Sequence, residues 1–187
     1  MTGQPWQRSH RADRPARLLA DRHYNRQRVG AQQFVPPGRA LVLITADLQA
    51  VWVTSYPYAE YVRHAWAGAM VCSLFRREGG PQASTLIRAA CAATAAEWPP
   101  PPLGMVSFVD AAKTRPIRGR CSCSGPDDTG CPFDGATRVT GWTYIRAGFH
   151  HAGLTAGGLV AVRLRPEEFP APLPARPFGG QMALDVE

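Results

Sequence analysis

Hydrophobic and polar positions along this chain follow two periods. Ala16, Leu19, Ala20 and His23 recur at i, i+3, i+4 and i+7, which predicts a helix opening at Pro15 with His23 on its inward face. "GAQQFVPPGRA" then reads as a loop, broken by Pro36, Pro37 and Gly38. Two strand-like runs, residues 40–46 and 50–56, flank a short turn at Asp47 and predict an antiparallel pair. Residues 65–75, "AWAGAMVCSLF", are apolar at both alternating sets of positions, as in a central strand covered on both faces. Helical spacing returns at Ala83, Leu86, Ile87, Ala90, Cys91, Thr94 and Trp98, and "WPPPPLG" ends it. "GMVSFVD" (104–110) predicts another buried strand ending on Asp110, "GWTYIRAGF" (141–149) a short helix stopped by Gly148, and "GGLVAVRLR" (157–165) a last strand.

The order of these elements predicts an α/β or α+β fold with a mixed sheet, and no internal repeat is visible. The expected organisation is one domain over residues 1–165, with a frayed lead-in at 1–12. It carries an inserted polar, cysteine-containing loop at about 111–140 and a proline-rich, loosely held tail at 166–187. Hydrophobic residues make up 45% of the 187, enough for a sizeable core. No run is long enough to span a membrane, and the N-terminus lacks the apolar stretch of a secretory signal. Five irregularly spaced cysteines predict reduced thiols and a cytoplasmic location.

Charge changes this picture. The net charge is +7, and residues 1–39 hold eight arginines against Asp13 and Asp21, while Lys113 is the single lysine. The arginine bias is compatible with a GC-rich genome and a solvated surface. It is equally compatible with an anionic partner, of which nucleic acid is the expected one.

"FRREGGPQASTLI" (75–87) carries the first candidate chemistry. A strand handing over to a helix through Gly79 and Gly80 is either a tight steric turn or a phosphate cradle. In the second case free amides at the helix start hold phosphate oxygens, glycine allows close approach, and Arg76, Arg77 and Ser84 add donors. GxGxxG and GxxxxGK[ST] are both absent, which excludes the Rossmann and P-loop versions of this site.

With its neighbours, the turn resembles the GNAT N-acetyltransferase superfamily across about residues 15–165. Arg77 and Gly80 match the start of the superfamily's Arg/Gln-x-x-Gly-x-Gly/Ala turn after its fourth strand, and Tyr144, Gly148 and Phe149 match its later Tyr-x-x-x-Gly-Phe element. Gln82 departs from the second small position of the turn. Within the superfamily, "ADRHYNRQ", "QFVPPGR", "SLFRREGG…STLI" and "GMVSFVD" resemble the Mom-like branch, whose members modify the exocyclic amine of adenine in phage DNA. The resemblance implies a GNAT-like, mostly antiparallel sheet and acetyl-CoA or another acyl-CoA bound at Arg76, Arg77, Gly79, Gly80 and Ser84. It further implies Tyr144 as the acid facing the cofactor sulfur, and iron held by His23, Tyr24 and Asp110, with Asp110 catalytic.

The bland reading of each residue stands beside this. His23 is otherwise a hydrogen-bonded core histidine, Tyr24 a packing residue, Asp110 a cap on the following turn, and Tyr144 a cover for the sheet edge. Cys121, Cys123 and Cys131, with His150 and His151 downstream, are a candidate zinc set, although the CxC spacing is not that of a common finger. Free thiols or a disulfide are the alternatives. "WVTSYPYAEYVRHAW" (52–66) places aromatics beside arginine, either as a base-stacking platform or as core and loop packing. Three functions remain open: an acyl-CoA-dependent transferase acting on adenine in DNA, an ordinary N-acetyltransferase for a small-molecule or protein amine, and a non-catalytic DNA-binding module with a degenerate cofactor turn.

Overall fold

The computed structural model of the chain describes residues 3–26, 28–35, 37–58, 62, 65–118 and 138–177. In chain order its elements are β1 (Trp6–Ser9), α1 (Arg14–Asp21), β2 (Arg39–Thr45), β3 (Ala50–Tyr56), β4 (Met70–Arg77), α2 (Ala83–Glu97), β5 (Met105–Val109), β6 (Ile117–Arg118), β7 (Arg138–Val139), α3 (Trp142–Ile145), β8 (His150–Leu154) and β9 (Val160–Leu164). A 3-10 turn at Pro166–Glu168 follows. Seven strands make one sheet in the order β1-β2-β3-β4-β5-β9-β8, and every neighbouring pair is antiparallel except β4–β5. The fold is mixed α+β.

Period two sends alternate residues of each strand to opposite faces. Val42, Ile44, Val51, Val53 and Leu74 pack against Ala16, Leu19 and Ala20 of α1. Leu41, Leu43, Trp52, Met70 and Met105 pack on the other face against Leu86, Ile87, Ala90 and Cys91 of α2. Both faces are covered, which is why these strands read as continuous apolar runs. A buried polar chain ties α2 to the sheet. Trp52 Nε1 donates to Thr54 Oγ1 (2.7 Å), which lies 2.9 Å from Thr94 Oγ1, and Thr94 donates to the Ala90 carbonyl.

The termini differ from the sequence expectation. Residues 6–9 form an edge strand instead of a frayed lead-in, because Trp6 is fully buried and its Nε1 donates to the Leu86 carbonyl at 2.9 Å. Arg176 then bridges β1, exchanging backbone bonds with Arg8 and Trp6, and Leu173 N–H donates to the Ala92 carbonyl. Residues 173–176 are therefore docked, and they satisfy edge donors and acceptors that would otherwise stay open. The 65–75 run also begins its strand late, at Met70, after a turn at residues 65–68. Strand β8, at His150–Leu154, has no counterpart in the sequence reading.

α1 opens at Asp13, whose carboxylate accepts from Ala16 N–H, with a proline in the first turn. It ends at Asp21, so His23 lies in the turn beyond the helix and not on its inward face. Antiparallel pairing of Ile117 with Val139 and Arg118 with Arg138 closes the base of the inserted segment. Cys121, Cys123 and Cys131 lie outside the described residues. Among the described residues no helix is long and apolar enough to cross a membrane.

Candidate functional site

The one parallel junction of the sheet is short. Met70, Val71 and Cys72 of β4 pair with Met105, Val106 and Ser107 of β5, and there the pairing ends. Next to this point β4 carries a bulge. Val53 faces Leu74 and Thr54 faces Cys72, which leaves Ser73 unpaired against β3. Such an extra residue bends a strand and re-aims its side chains. β4 runs on to Arg77 and β5 to Val109 without further pairing, so the sheet splays open between them.

Two tyrosines from opposite faces meet at the vertex of this splay. Tyr144, from α3, places its hydroxyl 3.4 Å from Cys72 Sγ, and its ring packs edge-on against Phe149 at 5.3 Å. Gly141, at φ +77°, precedes α3, and Gly148, at φ +101°, ends the turn after it. Ser107 donates to the Cys72 carbonyl at 3.4 Å. Burial pushes the Tyr144 hydroxyl well above its ordinary value, and the neighbouring Cys72 adds to this, so it stays protonated at neutral pH. Burial likewise pushes the Cys72 thiol to about 12, against the hydrogen bonds from Tyr144 and Ser107. It is an inert neighbour and not a nucleophile.

Tyr24 enters from the α1 side. Its pKa is raised, first by burial and then by the charges of Asp110 and Cys72, while the Asp110 backbone hydrogen bond opposes the rise. His23 stacks on Tyr24 with ring centroids 4.4 Å apart. Desolvation, with Arg76 nearby, lowers His23 to about 4, so the imidazole is neutral at pH 7. Its Nδ1 accepts from Asn25 N–H at 3.2 Å, which puts the ring proton on Nε2.

The implied iron set does not assemble from these residues. The lone pair of His23 Nδ1 is taken by Asn25, and the Tyr24 hydroxyl is neutral and engages the Asp110 backbone. The Asp110 carboxylate accepts from Ala112 N–H at 2.9 Å and lies 3.7 Å from Lys113 Nζ, as a cap on the turn after β5. No cluster of three His, Cys, Asp or Glu side chains with metal-binding geometry occurs among the described residues. His151 Nε2 pairs with the Thr140 carbonyl and His150 Nε2 with Glu168, at 2.9 and 2.7 Å.

The glycine turn lies at the outer end of the splay. Gly80, at φ +77°, is exposed, as are Pro81 and Gln82, so the bend is open to solvent. Gln82 occupies the N-cap of α2 without a side-chain cap, and Ser84 sits in the first helical turn. The leading amides of a fifteen-residue helix therefore face outward. Arg77 reaches the Gly80 carbonyl at 3.4 Å. Arg76 does not join it. Alternation turns Arg76 to the α1 face, where it donates to the Arg22 carbonyl (3.0 Å) and pairs with Glu78 (3.1 Å). One acidic group crowds the turn, since a Cβ on Gly80 would lie 3.1 Å from Asp47 Oδ2.

Thus Tyr144 and Tyr24 meet at the vertex, Asp110 caps the turn beyond β5, Arg77, Gly79, Gly80 and Ser84 lie at the rim, and His23 and Arg76 on the α1 side. Sequence reasoning gave Cys72 only a place in a buried strand and Asp47 only a place in a turn, and passed over Ser107. The parallel register that sets Cys72 beside Ser107 joins strands on either side of α2, and nothing in the local pattern announces it. Trp52 is buried in the core and Trp66 packs on Phe108 at 5.7 Å, so the aromatic run 52–66 supplies packing at both tryptophans.

No known family model matches the chain, nor does any curated protein or solved structure.

Proposed function

We propose that the protein is an acyl-CoA-dependent transferase of GNAT-like design that acylates an amine, with the exocyclic amine of adenine in DNA as its acceptor. The observation that carries this reading is the β4–β5 splay, with a protonated tyrosine at its vertex and an uncapped helix start at its rim. A coenzyme diphosphate would sit on the α2 amides beside Arg77, with Ser84 adding a hydroxyl. Its pantetheine arm would run into the splay where the two strands no longer pair with each other, using backbone groups left open on their facing edges. That brings the thioester to Tyr144.

The chemistry asked of the site is small. The amine nitrogen attacks the thioester carbonyl carbon, the carbon–sulfur bond breaks, and an amide and a thiol result. The Tyr144 hydroxyl, protonated at neutral pH, gives its proton to the departing sulfur, and the amine gives its own proton to solvent, from which the tyrosine is reprotonated. The one free lone pair of the neutral His23 ring is taken by Asn25 N–H and its basicity is lowered to about 4, so it does not serve as the base.

The test is mass spectrometry of nucleosides from DNA of cells producing the protein. An adenosine enlarged by an acyl-derived group supports the reading. Unmodified nucleosides, with acetyl-CoA consumed on alkylamines, identify an ordinary acetyltransferase. One observation favours a second reading: Asp47 beside Gly80, together with Gln82, gives a turn less suited to an anion, as in a DNA-binding module that no longer holds the coenzyme. Retained DNA binding without coenzyme binding would identify that case.

A further inference from the structure

On the α1 face, directly behind the bulge, lies a groove of about 650 Å³ that the chemistry above does not use. Its floor is Phe34, Val35 and Leu74, all buried, and its inner end is the bulged Ser73 with His23 beside it. Ser73 is the residue next to Cys72, so the groove ends against the vertex from the face opposite Tyr144. A second substrate entering here meets the first where the strands part.

The outer wall is a stapled loop. Arg26 Nε pairs with Asp21 Oδ1 at 2.8 Å, with both side chains nearly buried, and Arg26 also donates to the Ala31 carbonyl at 3.2 Å. Asp21 Oδ2 accepts from Gly30 N–H at 3.1 Å. This ion pair fixes the loop and neutralises the Asp21 carboxylate. Asn25, Arg28 and Gln33 project from the same loop, all exposed. Arg28 has no ion-pair partner among the described residues.

The lining selects its occupant by charge. Among the described residues no carboxylate lines the groove, while two arginines and a neutral histidine do. An alkylammonium acceptor would find no counter-charge there. A nucleotide fits: a neutral, flat base on the apolar floor, amide side chains to meet its hydrogen-bonding edge, and a guanidinium for its phosphate. The volume admits one nucleotide and not a duplex, so the base must arrive unpaired, either single-stranded or extruded.

We propose that this groove is the acceptor site and that it binds one unpaired purine nucleotide. Phe34 supplies the floor, Asn25 and Gln33 read the base edge, and Arg28 holds the phosphate. The inference rests on the transferase reading for its meaning, but the measurement that decides it is made without the coenzyme.

Fluorescence anisotropy with labelled single-stranded 12-mers, oligo-dT containing one central dA against all-dT, measures it directly. The wild-type protein should prefer the dA strand by about tenfold, the value of one good amide pair to adenine. Gln33→Ala should abolish that preference, Asn25→Ala should reduce it, and Arg28→Glu should weaken both strands and flatten the salt dependence. Acetyl-CoA binding followed by calorimetry should be unchanged in all three variants. Equal affinity of wild type and variants for both strands, or no binding of either strand by the wild type, overturns the proposal. Gln33-dependent dA preference in a protein that binds no acetyl-CoA keeps the groove and removes the transferase reading, so the two failures are distinct.

Discussion

Asp47 offers the sharpest test of where a coenzyme would lie, because removing it should improve binding. Its Oδ2 sits 3.1 Å from the position of a Cβ on Gly80, and its Oδ1 accepts from Gln49 N–H at 3.2 Å. Asp47→Asn keeps an oxygen for Gln49 and so keeps the β2–β3 turn, while deleting the charge. A diphosphate gripped by the Gly80 and α2 amides would hold its nearer phosphate roughly 6 Å, and its farther one roughly 9 Å, from that carboxylate, given hydrogen-bond lengths of about 3 Å. In an effective dielectric of about 40–80, behind a Debye length of about 8 Å, the repulsion is about 0.5–1 kcal/mol. Asp47→Asn should therefore tighten coenzyme A binding about two- to fivefold at physiological salt. At about 0.01 M salt the same repulsion grows to about 1–2 kcal/mol, and the ratio of affinities should grow with it to about five- to thirtyfold. Calorimetric titration of both proteins at the two salt concentrations reads this. A variant with wild-type affinity at low salt would place the diphosphate elsewhere and refute the argument.

Tyr144→Phe keeps the ring against Phe149 and removes one hydroxyl, so turnover should fall about 10²–10⁴-fold with coenzyme affinity unchanged; full turnover in steady-state assays would remove its role. Thr54→Val strands the buried Trp52 N–H and should destabilise the fold by about 1–3 kcal/mol in urea unfolding, the cost of an unsatisfied buried donor. His23 is held near 4 in the folded protein against 6.5 when free, so the unfolded chain binds the proton first. Its contribution to stability should thus be complete above pH 6.5 and be lost as pH falls towards about 4, and His23→Gln should flatten that part of the urea-midpoint profile.

The central strands and both long helices were legible because each obeys one period over many residues. The β2–β3 pair and α2 fall within a residue or so of expectation. What escaped depends on partners distant in sequence. A four-residue edge strand is recognisable only once Trp6 is known to lie under α2. Residues 173–176 carry no periodic signal, since their bonds run to β1 and α2. At the site, the resemblance singled out Arg77, Gly80 and Tyr144, which lie at the turn after β4 and beside Cys72. The face of each side chain was less visible. Strand alternation sends Arg76 away from the turn, and α1 stops two residues before His23. The bulge at Ser73, which parts the strands and gives the groove its inner end, leaves no mark on the apolar pattern.

The claim on which the rest depends is that the α2 amides hold a coenzyme diphosphate, and Ser84→Glu probes it most directly. A carboxylate in the first turn of α2 favours the helix dipole, so thermal stability should be kept or slightly raised. The same carboxylate occupies the place of the phosphates. Titration of acetyl-CoA should show one saturable site on the wild-type protein and none on Ser84→Glu. No binding by the wild type, or equal binding by both, would contradict the account.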